Sequence, residues 1–183
     1  MNTTAMIAII IAVFALAVAA WAVRQTQRTK HLRTRFGAEY DYTVGREGSQ
    51  LKGESELARR EETVKRLAIH DLTADQRDRF ANAWRQQQAQ FVEDPRRAVS
   101  EADALVTRVM IARGYPLADF ETQAAFASVE HGQVVDKYRE AHKIAERNRS
   151  GEANTEDLRR AMIGYRALFE DLVGGSVVAH DLH

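Results

Sequence analysis

The feature that most constrains this chain is an uninterrupted apolar segment near its N-terminus. Residues 5–23 have the sequence AMIAIIIAVFALAVAAWAV and contain no charged side chain. At about 1.5 Å per residue, a helix of this length rises about 28 Å, close to the roughly 30 Å thickness of the hydrocarbon core of a bilayer. The segment therefore predicts a transmembrane helix, with residues 1–23 as an N-terminal anchor.

A basic segment follows the apolar one and predicts its orientation. Five cations precede the first acidic residue of the chain: Arg24, Arg28, Lys30, Arg33 and Arg35. Positive flanks tend to stay in the cytoplasm, so we expect an inner (plasma) membrane protein with its soluble domain in the cytoplasm. These five side chains are also candidates for contacts with lipid head groups, although setting the orientation is sufficient to explain them.

The same N-terminus permits a second interpretation, a cleaved secretory signal. Ala17-Val18-Ala19 and Ala20-Trp21-Ala22 both match a small-x-small cleavage pattern, which would release a periplasmic or secreted domain. A signal peptide normally begins with a basic region, however, and residues 1–4 carry no charged side chain. The uncleaved anchor is therefore the favoured prediction.

Apolar residues at helical spacing predict an all-α domain over residues 55–174. Predicted helix starts include a capping box from Thr73 to Gln76, an Asp94-Pro95 start and a start after Asn154 or Thr155. The predicted helices cover residues 55–69, the segments after Thr73 and after Asp94, residues 117–127, residues 133–147 and the segment after Asn154. No segment alternates as a strand does, so the fold prediction is one transmembrane helix followed by a five- or six-helix orthogonal bundle.

Two other segments complete the predicted organisation. Residues 24–54 form the basic juxtamembrane segment and a connector, in which four glycines are expected to interrupt helices while aromatic residues pack onto the domain. These glycines are Gly37, Gly45, Gly48 and Gly53. Residues 175–183 follow two glycines and are predicted to be a flexible C-terminal tail.

Composition excludes several classes of function. All 26 acidic residues follow Phe36, whereas five of the 26 basic residues precede it, so the domain is mildly acidic and does not suit broad nucleic-acid binding. The chain has no cysteine, which excludes disulfides and thiolate metal sites. The sequence also lacks phosphate-binding loops, a serine nucleophile elbow and the common histidine metal motifs. We therefore predict no cofactor, no metal and no catalytic residue.

A ligand or proton-transfer site remains an alternative in one region. Glu130 and His131 are adjacent, and Tyr138 and His142 follow at helical spacing. Two histidines and a carboxylate could bind a ligand or move protons. A helix-capping His131 and a hydrogen-bonded, half-buried His142 explain the same residues without a site.

Several strings together resemble a known family. They are LRTRFGAEYDYTV, ELARRE, FVEDPRRAVSEADALV, MIARGYPLADFE, VVDKYREAH and TEDLRRAMIGYRALFEDL. The combination resembles a family of short bacterial proteins that commonly have a membrane span and a helical domain, and whose activity is not established. The resemblance implies a self-contained fold and transfers no catalytic residue.

The leading functional prediction is a membrane-anchored helical interaction or scaffold module that binds a protein partner and is not an enzyme. The alternatives are a small-ligand-binding or enzymatic domain that uses the His131 and His142 region, and a secreted domain. The sequence indicates neither the partner nor the oligomeric state.

Overall fold

A computed structural model describes the backbone of residues 3–174 and the side chains of residues 11–174. Over this part of the chain there are eight α-helices and no β-strand, so the predicted all-α class is confirmed. The helices are α1 (Thr3–Phe36), α2 (Ala38–Glu47), α3 (Gln50–Arg66), α4 (Ala74–Glu93), α5 (Pro95–Ala112), α6 (Phe120–His131), α7 (Val135–Arg149) and α8 (Thr155–Val173). The predicted tail, residues 175–183, lies outside the described residues.

Helix α1 joins the apolar segment to the basic segment without a break. Its side chains from Ile11 to Arg24 are exposed, whereas Leu32 and Phe36 near its end are buried. Among the helices of the described part, none combines the length and the apolarity needed to cross a membrane. The predicted transmembrane helix, residues 5–23, therefore stays a prediction, and the side chains of its residues 5–10 lie outside the described residues.

Helices α2 and α3 occupy most of the segment that we predicted to be a connector. Gly45 and Gly53 lie inside helices instead of interrupting them, and Gly48, with a φ of 71°, forms the turn between the two. A Cβ atom on Gly53 would lie 2.8 Å from Val44 Cα. Gly53 therefore allows α2 and α3 to pack closely. The position of a glycine in the sequence does not show whether it interrupts a helix or allows such packing. Residues 55–174 contain all or most of each of six helices, α3 to α8, which agrees with the five or six predicted, and α2 adds one more in the predicted connector.

The later helices begin where their local signals predicted. Thr73 forms a complete capping box with Gln76 at the start of α4, and Asn154 forms one with Asp157 at the start of α8. Asp94 caps α5, whose first residue is Pro95. These side chains accept hydrogen bonds from backbone N–H groups that have no partner within the helix, so each start is determined locally.

The buried residues form two clusters. The larger one lies mainly between α4, α5, α7 and α8, and in it Trp84 stacks on Phe169 with ring centroids 4.8 Å apart. The smaller one contains residues of α1, α2, α3 and α6: Leu32, Phe36, Tyr40, Leu57, Val64 and Val129. The end of α1 is therefore part of a hydrophobic core, and α6 links that core to the rest of the domain.

Candidate functional site

The structure divides the predicted site into two separate environments. Glu130 and His131 lie at the end of α6, in a cavity of about 400 Å³ that Asp171 and Arg113 also line. Tyr138 and His142 lie on α7 and do not line that cavity. The four residues therefore do not form one site.

His131 is buried and hydrogen-bonded through both ring nitrogens. Its Nδ1 lies 2.7 Å from Asp171 Oδ2, and its Nε2 lies 3.2 Å from Arg113 Nη1. Because a guanidinium only donates, Nε2 accepts and Nδ1 carries the proton that is donated to Asp171. Burial lowers the pKa of His131 below its usual value of 6.5, against the opposing effect of Asp171. His131 is therefore a neutral side chain without a free nitrogen for proton transfer.

Arg113 explains why His131 is held in this way. It follows the last residue of α5 and donates hydrogen bonds to the backbone oxygens of His70 and Leu172, both at 3.3 Å. Its Nη2 also lies 3.6 Å from Asp71 and 3.8 Å from Glu130. A cation close to the carbonyl ends of helices is favourable, so this cluster holds the ends of α5, α6 and α8 together.

Tyr138 and His142 pack against aromatic side chains. The His142 ring stacks on Phe120 with centroids 3.6 Å apart, and its Nδ1 lies 3.4 Å from Asp103. The Tyr138 ring lies 5.0 Å from that of Phe120 and 6.0 Å from that of Tyr165, and burial raises the pKa of Tyr138. Within residues 11–174, no group of three or more histidine and carboxylate side chains is placed to hold a metal ion.

Two of the five predicted lipid contacts also contact the domain. The Arg33 guanidinium lies 4.7 Å from the centre of the Tyr40 ring. Arg35 lies 3.4 Å from Glu61 and donates to the backbone oxygen of Val129 at 3.1 Å. Both side chains attach the end of α1 to the domain.

The other three predicted lipid contacts lie nearer to the apolar segment. Arg24 and Lys30 are exposed and have no ion-pair partner among the described residues. Arg28 is exposed and reaches the backbone oxygen of Glu54 at 3.5 Å. All five side chains are exposed, and among the described residues Arg24, Arg28 and Lys30 form neither an ion pair nor a ring contact.

A buried carboxylate that the sequence analysis missed connects α1, α2 and α3. Glu54 Oε1 accepts hydrogen bonds from Thr29 at 2.7 Å, Tyr40 at 2.8 Å and Gln50 at 2.8 Å, and Oε2 accepts one from Gln25 at 3.3 Å. Burial alone would raise the pKa of Glu54, but the hydrogen bonds hold it below its usual range. The sequence contained one signal for this buried carboxylate: Glu54 lies three residues before Leu57 and therefore on the apolar face of the same helix.

A second missed network surrounds Glu39. Its carboxylate accepts from Arg60 Nη1 at 2.8 Å and from two nitrogens of Arg139 at 3.0 and 3.1 Å. Arg139 also donates to Glu121 and lies over the Tyr42 ring. The buried Arg139 and Glu39 are a hundred residues apart in the sequence, so no local pattern predicts their pairing.

Hydrogen-bond geometry therefore assigns the Glu54 network to holding α1 on the domain, and the Glu39 network to joining α2, α3, α6 and α7. A scan against protein-family models, a search of curated proteins and a search of solved structures each found no match to this chain.

Proposed function

We propose that this chain is a membrane-anchored helical interaction module. The observation that carries the proposal is the continuity of α1, whose exposed apolar part runs directly into a part that the domain holds through buried contacts. An apolar helix that the domain does not cover needs lipid or another protein around it. The uncharged sequence of residues 5–23 has the length that lipid requires.

Large side chains of α1 support a lipid environment. Phe14 is 70% exposed and Trp21 is 68% exposed, and neither packs against the domain. Trp21 lies close to the basic segment, where tryptophan is enriched at membrane interfaces. The apolar segment therefore has the composition of a span with an interfacial boundary near Trp21.

The accessible cations support a cytoplasmic location for the domain. Arg24, Arg28 and Lys30 directly follow the apolar segment, and cations at this position favour the cytoplasmic side of a bacterial inner membrane. Cleavage within residues 17–22 would instead give a periplasmic or secreted domain, which is the alternative that the experiment below distinguishes.

A groove between α4 and α8 supports the interaction role. It has a volume of about 240 Å³ and is lined by Trp84, Gln88, Phe91, Arg159, Met162, Ile163 and Arg166. Ile163 is half exposed beside the buried Trp84. The apolar lining suits a protein partner that inserts apolar side chains from a helix.

The alternative of an enzymatic or ligand-binding site has less support. Both ring nitrogens of His131 are occupied by protein groups, and His142 packs in another environment. A general base needs a nitrogen that can reach a substrate proton. These contacts therefore favour the interaction module.

The anchor is tested by charging α1. Ile11 and Ala15 are exposed, and replacing both with arginine places two cations in the proposed span, each at a cost of about 2.5–3.5 kcal/mol at the centre of a bilayer. The full-length wild type is expected to stay in the membrane fraction after an alkaline carbonate wash. The double variant is expected to leave this fraction, with the thermal unfolding of the domain unchanged.

The matched control replaces Val92 and Leu117 with arginine, since both are exposed apolar residues of the domain, and this variant should stay in the membrane. A wild type that the carbonate wash removes would contradict the anchor. Fusion of the C-terminus to a fluorescent protein and, separately, to a phosphatase that is active only outside the cytoplasm reports the orientation. Phosphatase activity without fluorescence would overturn the cytoplasmic location.

A further inference from the structure

The contacts between α1 and α3 determine which residues of the two helices lie side by side. Glu54 of α3 accepts hydrogen bonds from Gln25 and Thr29, and Glu61, two turns later, lies 3.4 Å from Arg35. Later residues of α3 thus face later residues of α1, so the two helices run side by side in the same direction. Each residue of either helix advances about 1.5 Å, so positions on one helix can be matched to positions on the other.

This register places the start of α3 next to the end of the apolar segment. Glu54 faces the stretch between Gln25 and Thr29, and Leu51 is three residues earlier on α3. Leu51 is therefore level with about Arg24, the first residue after the predicted span. The turn between α2 and α3 is also level with Arg24 along α1, because Ser49, at the end of this turn, caps the first turn of α3.

Leu51 has an unusual environment for a leucine. It is 70% exposed in the first turn of α3 and belongs to neither hydrophobic cluster. The adjacent Lys52 is exposed and has no ion-pair partner among the described residues. Leu51 and Lys52 are level with Arg24 along α1. An exposed apolar side chain beside an exposed cation is typical of a segment at a lipid interface.

We infer that Leu51 and Lys52 form a second contact with the lipid surface, in addition to the anchor. The inference rests on the proposed function, because it assumes that α1 crosses the bilayer. Leu51 inserts among the lipid chains near the surface, and Lys52, with Arg24 and Arg28, binds the lipid phosphates. Two contacts, α1 and the start of α3, then hold the domain in one orientation against the membrane.

The absence of cysteine in the native chain allows a direct test with single labels. Full-length variants Val18→Cys, Leu51→Cys and Lys65→Cys are labelled with an environment-sensitive fluorophore and reconstituted into vesicles of phosphatidylethanolamine and phosphatidylglycerol. Some of the lipids carry a nitroxide quencher on the head group. Lys65 is the matched control, because it is exposed on the same helix about 21 Å further from the proposed surface.

Labels at positions 18 and 51 are expected to lose fluorescence in the quencher vesicles, whereas the label at position 65 keeps it. Quenching at 18 with none at 51 would overturn the second contact and leave the anchor intact. Quenching at none of the three positions would contradict the anchor itself.

A second measurement keeps Leu51 in place and labels Lys52→Cys. Adding Leu51→Glu to this variant is expected to reduce quenching at position 52, because a carboxylate does not insert among lipid chains, while quenching at position 18 stays the same in the matching Val18→Cys background. Equal quenching at position 52 with leucine and with glutamate at position 51 would overturn the inserted role of Leu51.

Discussion

Glu54 stabilises the junction between α1 and the domain as a charged carboxylate. Its oxygens accept hydrogen bonds from Thr29, Tyr40 and Gln50 while it is only 1% exposed. A buried charge is costly unless it is hydrogen-bonded, and these donors offset that cost. The pKa of Glu54 is consequently lower in the folded protein than its usual value of 4.5.

The lowered pKa predicts how stability depends on pH. A carboxyl group with a lower pKa in the folded state contributes stability at pH values above its usual pKa, and this stability is lost as the pH falls through the folded pKa. Glu54→Gln is expected to lower the free energy of unfolding at pH 7 by about 1.5–3 kcal/mol, since it removes hydrogen bonds to a charged group. It should also flatten the decrease in stability in acid, which urea unfolding at a series of pH values measures.

Glu62→Gln is the control for this substitution, because Glu62 is an exposed residue of the same helix whose ion-pair partner among the described residues is the surface residue Arg66. Such surface pairs contribute about 0–1 kcal/mol. Equal effects of the two substitutions would show that the hydrogen bonds to Glu54 do not stabilise the fold.

At the scale of elements, the close approach of α6 to the end of α1 depends on Gly132. A Cβ atom at Gly132 would lie 2.8 Å from the backbone oxygen of Arg35 and 2.8 Å from Phe36 Cα. Backbone atoms cannot move aside as a flexible side chain can. The contact therefore requires a residue without a side chain.

Gly132→Ala is expected to destabilise the protein by about 1–3 kcal/mol, because the added methyl group forces α1 away from α6. Thermal and urea unfolding measure the change. Gly45→Ala is the matched control: Gly45 lies inside α2 with no atom within 4 Å of the added Cβ, so alanine should stabilise the protein by about 0.5–1 kcal/mol. A neutral or stabilising effect of Gly132→Ala would contradict the close packing of α1 on α6.

At the scale of the whole molecule, the continuous helix α1 joins the proposed anchor to the domain that contains the proposed partner groove. The domain binds α1 from Gln25 onward, one residue after Arg24, so almost no free linker separates the proposed span from the domain. A partner bound in the groove between α4 and α8 would therefore be held near the membrane. This arrangement favours partners that are themselves at the membrane.

The groove is tested with a photo-crosslinking amino acid in the full-length protein in cells. At Ile163, which lines the groove, it is expected to give a discrete crosslinked product in the membrane fraction, and Gln88→Arg in the same chain, at an exposed position that also lines the groove, should reduce that product. Ile111 is the control, because it is also an exposed isoleucine in a helix but does not line the groove. The same product from both positions, or none from Ile163, would contradict a partner in the groove.

The sequence by itself determined the features that depend on neighbouring residues. Thr73, Asp94 and Asn154 predicted helix starts correctly because a cap bonds to a backbone group three residues away. Apolar spacing predicted the helices that became α5 and α8 for a similar reason, since the period of a helix is a local property. The all-α class follows from the sum of these signals.

Only the tertiary structure decided which distant residues meet. It paired Glu39 with Arg139 and Glu54 with Thr29, and it separated His131 from His142 although they lie eleven residues apart. It also showed that Gly53 allows close packing instead of ending a helix. The physical reason is that pairing between helices depends on how their faces pack in three dimensions, and the spacing of residues along one helix contains no information about the partner it will contact.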